Sequence, residues 1–444
     1  MSGITQRWRC WCSSFVMCGV LIASWQEYVF AQITPDNTLP NNSSVTREGN
    51  IFNITEGTQA GSNLFHSFGE FSVPPGSTAS FNNAVDIQNI ISRVTGGSAS
   101  NIDGLIRANG TANLFLINPN GIIFGQGARL NIGGSFVGTT ANAIGFGDRG
   151  FFSASNPETS PSLLTVNPSA FFFNQIAGAP IQNNSIVLRV PDGNSLLLVG
   201  GDINMNDGGL FAFGGRVELG GLGEPGTVAL GVDGDNLSLR FPENVARTDV
   251  SFTNSSRVLV TGAGGGNITV NARNLEILGG TVLSAGIGQG LGIPETVAGD
   301  ITLNATGEIN VAGGSTVLNL VRLGSLGNGG NITIDSGSFS LRDRAQLQAS
   351  TFGQGNAGNV TVRAGDAVSL ADNAGILSTV DAGGVGKGGN IDINAATLSL
   401  KDGAQLLTIT RGTFNNQPAG RGDAGNVNIN VTGSVDIAGG KNSL

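Results

Sequence analysis

The sequence predicts an all-β chain wound as a right-handed, single-stranded parallel β-helix with an irregular N-terminal cap, and three observations predict it. A short strand motif recurs six times at solenoid spacing in the C-terminal half. Gly supplies 71 of 444 residues, and short alternating apolar runs are broken by Gly and Asn, the pattern of many short strands and tight turns. No apolar spacing of three and four is sustained, and Gly, Asn, Thr and Ser are poor helix formers. The chain is still able to fold, because 39% of it is apolar and only 12% charged, unlike a disordered composition.

The first element is a leader. Arg7 and Arg9 precede a mostly apolar or small stretch from Cys12 to Ser24, and Val29-Phe30-Ala31 offers small residues at cleavage spacing, so residues 1–31 read as a signal peptide cut near Ala31. The apolar run falls well short of the ~20 residues that span a bilayer, and no later segment reaches that length either. The expected location is outside the cell or on its outer surface. A lipid anchor at Cys18 is disfavoured by the large Met17 before it.

Losing the leader removes Cys10, Cys12, Cys18, every Trp and Tyr28, so the mature chain has no Cys, Trp or Tyr, and His66 is its one histidine. With Arg7, Arg9 and Glu27 gone, the formal charge moves from −9 to about −10. That surface repels nucleic acid and anionic lipid. A cysteine-free chain in an oxidising compartment suits a protein threaded unfolded through a narrow pore, although a core of this size also folds without disulfides.

Residues 32–241 form the second element, less regular but still β in pattern. Their most distinctive segment runs Asn113-Leu114-Phe115-Leu116-Ile117-Asn118-Pro119-Asn120-Gly121-Ile122-Ile123-Phe124-Gly125 and reads as strand, turn, strand. Pro119 fixes φ at a corner, and Asn120 and Gly121 permit the positive φ that follows.

Residues 242–444 form the third. Gly266-Asn267-Ile268-Thr269-Val270 recurs from Gly299, Gly330, Gly358, Gly389 and Gly425, at intervals of 28 to 36 residues. Each copy places two apolar residues two apart, on one face of a strand. A second such pair follows, for example Leu275/Ile277 and Phe339/Leu341, then a turn such as Gly279-Gly280, Asp343-Arg344 or Gly439-Gly440. A third strand is expected around Leu283, Leu318, Leu347, Leu377 and Leu406. Three strands and three turns make one β-helix coil. Gly opens the corners through positive φ, and stacked Asn side chains can bond along the axis. The chain reaches Lys441-Asn442-Ser443-Leu444 part-way through the sixth repeat, which reads as a truncated form or as an end covered by another chain.

The Asn118-Pro119-Asn120-Gly121 motif, with Asn63-Leu64-Phe65-His66-Ser67-Phe68, Asn89 to Gly96, Ile102 to Ile106, Leu130 to Gly133, Gly214 to Leu219 and Phe241 to Asn244, resembles the filamentous-haemagglutinin N-terminal domain. This is the haemagglutination activity domain of two-partner secretion exoproteins, in a form typical of cyanobacterial members. The second motif of some members, Asn-Pro-Asn-Leu, is missing, with only Asn82-Asn83 near its place. The resemblance implies a partner, an outer-membrane β-barrel transporter whose periplasmic modules recognise the N-terminal domain. It implies export through that pore, folding outside, and Asn118, Pro119, Asn120 and Gly121 as the secretion signature. The same four residues equally suit a plain corner turn.

Candidate chemistry is sparse, and no enzyme, cofactor or metal site is expected. Asp233 and Asp235 could form a carboxylate pair of the glycosidase kind, but Gly231-Val232-Asp233-Gly234-Asp235-Asn236 has turn composition. A sugar-cleaving groove would want Trp or Tyr platforms. His66 alone builds no multi-His site and is expected in a strand between Phe65 and Phe68. The remaining readings are a surface adhesin or scaffold with a cell-surface or glycan receptor, a polysaccharide-degrading β-helix, and the truncated stem of a contact-dependent toxin. Arg421-Gly422-Asp423 is an integrin-type tripeptide in a Gly-rich turn, where it is expected by chance.

Overall fold

Alternating apolar residues make strands, and Gly and Asn set the corners between them. In the computed structural model, which describes residues 32–157, 161–175, 178–233 and 236–439, those strands wind into a parallel β-helix. The expected leader (1–31), Asp235, Gly440 and Lys441-Asn442-Ser443-Leu444 lie outside the described residues. Among those described, no helix is long and apolar enough to cross a membrane.

One sheet sets the register of the whole solenoid. Starting at Asn63–Phe71, its parallel strands run through Asn89–Val94, Asn113–Ile117, Phe136–Thr139, Ser195–Gly200 and Arg216–Gly221 to Asn267–Ala272 and on to Val427–Val431. Its inward column is unbroken. Leu64, Ile90, Leu114, Phe136, Leu196, Val217, Ile268, Ile301, Ile332, Val360, Ile391 and Val427 are partners coil to coil. An 11-stranded second sheet, from Ser100–Ile102 to Val435–Ile437, closes the next side of each coil. The third side is a sheet ending at Arg129–Asn131 in the first coils, then an eight-stranded one from Leu188–Arg189 to Gln405–Leu407. The expected N-terminal cap is the antiparallel hairpin Ser43–Glu48/Ile51–Glu56, with Ile33–Pro35 and Thr58–Ala60 laid antiparallel on the first long strand.

The six repeat copies occupy successive coils as the sequence requires, but two details differ. On the third face the aligned inward residues are Leu283, Val317, Leu347, Ile376 and Leu406, so Val317 and Ile376, not Leu318 and Leu377, point inward. Adjacent apolar residues at those positions leave the choice of face to the strand register. The turn glycines take the positive φ expected of them, 67° and 77° at Gly279-Gly280 and 66° and 73° at Gly313-Gly314, but the repeat glycines serve a different purpose. Only Gly266 among them has positive φ, at 79°. A Cβ on Gly330, Gly358, Gly389 or Gly425 would lie 1.8 to 2.1 Å from the carbonyl oxygen of the repeat glycine one coil before. Close backbone approach between coils, rather than turn conformation, requires Gly there.

The neighbouring Asn column bonds along the axis. Asn267 Oδ1 accepts the Asp300 N–H at 3.0 Å, and the pattern continues to Asn331, Asn359, Asn390 and Asn426 at 2.7 to 3.0 Å. Each side chain thereby satisfies a corner N–H of the following coil.

Residues 140–180 and 222–249 leave the solenoid and return. They build an antiparallel sheet from Ala143–Gly145, Phe151–Ser153, Ala170–Phe173, Gly226–Asp233 and Asn236–Arg240. That sheet covers the outer face of the first solenoid sheet, so both faces of Asn113–Ile117 are buried. The outward column Phe65, Ile91, Phe115, Val137, Leu197 belongs to a second core shared with Phe146, Phe152, Phe171 and Leu230. The next member of that column is Glu218, followed by Thr269, Thr302, Thr333 and Thr361. Apolar gives way to polar where the covering sheet ends.

Candidate recognition site

The chain leaves Asn113–Ile117 through a β-turn closed by the Gly121 N–H donating to the Asn118 carbonyl at 3.1 Å. Asn118 is fully buried, and its amide donates to the Ser98 carbonyl (3.0 Å) and to Ser100 Oγ (2.9 Å) one coil before. Its Oδ1 accepts the Asn120 N–H at 3.0 Å. Every polar atom of that side chain is engaged, the amide nitrogen with the preceding coil and the oxygen within the turn. Pro119 is half-buried, and Asn120 is exposed with its amide on the Gly96 carbonyl at 2.6 Å. Of the two residues that permit positive φ, Gly121 adopts it, at 115°. Asn120 stays outside that region, as the third residue of a type I turn does. A Cβ on Gly121 would meet the Pro180 carbonyl at 3.2 Å. The motif corner is therefore gripped between the corners at 96–100 and 178–181, and Asn120 is its displayed side chain. Near the place of the missing second motif, Asn83 is buried and exchanges bonds with the Asn109 main chain of the next coil.

A second cluster escaped the sequence reading. Arg93 is completely buried and its guanidinium donates to Ser67 Oγ (2.8 Å), the Ser153 carbonyl (2.7 Å) and Thr38 Oγ1 (2.9 Å), while lying over the Phe152 ring at 4.1 Å. Asp36 accepts from Thr38, Ser67 and Thr95. Burial pushes the Asp36 carboxyl up, but those hydrogen bonds outweigh it and hold it below its ordinary value. Burial brings Arg93 down to about 10, opposed by Asp36, so it stays charged at neutral pH. One guanidinium thus ties together the cap, two solenoid coils and the covering sheet. Nothing marks Arg93 in the sequence, where it is one more residue of a strand. Glu218 does a related job, accepting from Arg216 Nη1 (2.7 Å) and the Leu239 N–H (2.6 Å), with burial pushing its carboxyl up.

The remaining sequence candidates are dispersed. His66 lies in its strand as expected, 1% exposed, with Nδ1 3.0 Å from Ser43 Oγ, and burial lowers it to about 3. Asp233 pairs with Asn236 in a hairpin. Arg421-Gly422-Asp423 is held by main-chain bonds to Gly384, Gly386 and Gly388 of the preceding coil, with both charged side chains exposed. On the second solenoid face a cleft of about 490 Å³ is lined by Asp202, Asp249, Glu276, Glu308 and several amide side chains. Asp249 is paired with Arg273 and held below its ordinary value by that contact. These carboxylates sit tens of residues apart in sequence and only the coil stacking gathers them. Among the described residues no group of three or more His, Cys, Asp or Glu is arranged to hold a metal ion.

Comparison with known proteins returns one theme. The family model of the TPS secretion domain matches residues 31–270. That span takes in the cap, the motif corner, the Arg93 cluster and the whole covering sheet, and stops inside the first uncovered coil, Asn267–Ala272. The heme/hemopexin-binding protein of Haemophilus influenzae is 34% identical over 126 residues, a stretch covering 25% of this chain and 13% of that protein. The crystal structure of the HMW1 secretion domain from Haemophilus influenzae superposes with a TM-score of 0.59 at 18% identity, covering 92% of this chain and all of that one, which is a likeness of fold.

Proposed function

Because the chain belongs to the TPS, or two-partner secretion, family of secretion domains, we propose that residues 32–241 are the unit recognised in the periplasm by the periplasmic modules of a dedicated outer-membrane β-barrel transporter. The exported protein then folds outside the cell, after loss of a leader near Ala31, and acts as an adhesin or scaffold at the surface or in the medium. The observation that carries this reading is the family match over residues 31–270, the same stretch in which the solenoid wears its extra sheet. A solenoid whose first sheet turns a polar outer column to solvent beyond the covering sheet suits a scaffold that presents binding surface. The family is one of secretion domains and not of enzymes.

Coil-wise folding supplies the direction of export. Each coil that emerges buries its inward column against the one before, and that apolar burial makes backward threading costly. Within the unit, Asn118 and Gly121 build the corner and Asn120, with Pro119, presents the recognition surface. The test is secretion from cells carrying or lacking the barrel partner. Dependence on the partner supports the reading, and equal extracellular protein in both strains refutes it.

A second reading draws on the carboxylate-lined cleft at Asp202, Asp249, Glu276 and Glu308. It makes the chain a polysaccharide-degrading β-helix, and release of reducing ends from acidic polysaccharides, lost in Glu276→Gln, is the measurement that would favour it.

A further inference from the structure

Asn-Gly pairs occur at Asn109-Gly110, Asn120-Gly121 and Asn328-Gly329. Such a pair is open to a hydrolytic modification. The glycine main-chain nitrogen, having given up its proton, attacks the Asn side-chain carbon, a C–N bond forms, and ammonia leaves. Water then opens the resulting succinimide to aspartate or isoaspartate. Glycine favours the step because no side chain hinders approach. The attack needs the glycine N–H free of an acceptor and the Asn side chain free to swing back onto its own main chain.

The fold treats the three pairs differently. The Gly121 N–H donates to the Asn118 carbonyl at 3.1 Å, and the Asn120 amide is tied to the Gly96 carbonyl at 2.6 Å. The Gly329 N–H donates to the Asn356 carbonyl at 2.9 Å, while Asn328 Oδ1 accepts the Asn356 N–H at 3.0 Å. Both pairs have nucleophile and electrophile engaged. Asn109 holds the Asn83 carbonyl at only 3.3 Å, and Gly110 is exposed. Among the described residues no main-chain acceptor faces the Gly110 N–H.

We propose that Asn109-Gly110 is the deamidation site of the folded protein, and that Asn120-Gly121, although solvent-exposed, is shielded once folded and labile only in the unfolded chain. Asn120 then records time spent unfolded before the coils close.

The test is peptide mapping by mass spectrometry of the purified full-length protein, aged at mildly alkaline pH, folded or in guanidinium, with fragment ions separating Asn109 from Asn120. In guanidinium the three sites react alike. In the folded protein, Asn120 and Asn328 slow on the order of tenfold or more, because reaction waits on local opening. Asn109 retains most of its unfolded rate, and Asn109→Gln removes the folded-state signal. Equal rates at Asn120 in the two states, or slower reaction at Asn109 than at Asn120 in the folded protein, would overturn the assignment.

Discussion

Substituting Gly358 by alanine separates two roles of glycine that a sequence cannot tell apart. The added Cβ would sit 1.8 Å from the Gly330 carbonyl oxygen, where the obstacle is backbone and cannot rotate away. An ordinary carbon–oxygen contact is about 3.3 Å, so the two coils must part by roughly 1.5 Å where strands are normally about 4.8 Å apart. Bonds at that corner, Asn359 N–H to Asn331 Oδ1 at 3.0 Å and Ile332 N–H to the Asn359 carbonyl at 2.9 Å, would then stretch beyond hydrogen-bonding range. Losing two of them at about 1 kcal/mol each, with overpacking of about 1–3 kcal/mol, gives roughly 3–5 kcal/mol. The damage should stay local, because a coil contacts only its neighbours. Gly76→Ala is the control. Its φ is 70° with no atom within 4 Å of the added Cβ, so only the left-handed strain of about 1 kcal/mol remains. Amide hydrogen exchange read by mass spectrometry should show lost protection across residues 330–364 in Gly358→Ala and none in Gly76→Ala. Native protection in both variants would refute the argument that close approach sets the repeat glycine.

Other outcomes follow from the same structure. Asn118→Ala strands the Asn120 N–H and removes two bonds to the preceding coil, and should cost roughly 2–4 kcal/mol by denaturant unfolding, whereas Asn120→Ala should cost about 1 kcal/mol or less. Arg93→Met removes the guanidinium's hydrogen bonds to Ser67, Ser153 and Thr38, with an expected loss of about 3–5 kcal/mol, and exchange should rise together in 36–38 and 143–173. His66 is lowered to about 3 by burial, so the unfolded chain takes up a proton below about 6.5 that the folded chain refuses. Its contribution is therefore full above that value and is lost on acidification toward 3, by roughly 1.4 kcal/mol per pH unit. Between about pH 6.5 and 5.5, where ordinary carboxylates titrate little, the acid slope of stability should be much reduced in His66→Gln.

What the sequence discloses depends on how many faces of a strand meet solvent. From Asn267 to Ala395 each strand of the first sheet buries one side, so alternation survives and the Gly-Asn motif marks the coils. In Asn113–Ile117 and Ser195–Gly200 both sides are buried, one by the solenoid and one by the covering sheet, and alternation vanishes. The excursions at 140–180 and 222–249 also break the period, which hides coils whose register is as regular as the rest. The motif corner was legible as a turn. That Asn118 is consumed within it while Asn120 faces out was not, because the same residue type stands at both positions. Arg93 was invisible for a related reason, since its partners come from segments tens of residues away.

By the proposal above, the N-terminal domain carries the surface its transporter reads, with Asn120 on it. Titration of the transporter's purified periplasmic modules into the full-length chain, wild type and Asn120→Ala, tests this most directly by calorimetry. The expected result is saturable binding to the wild type and a several-fold weaker interaction in a variant whose unfolding midpoint is nearly unchanged. Absent binding by the wild type, or equal affinity in the two chains, would contradict it.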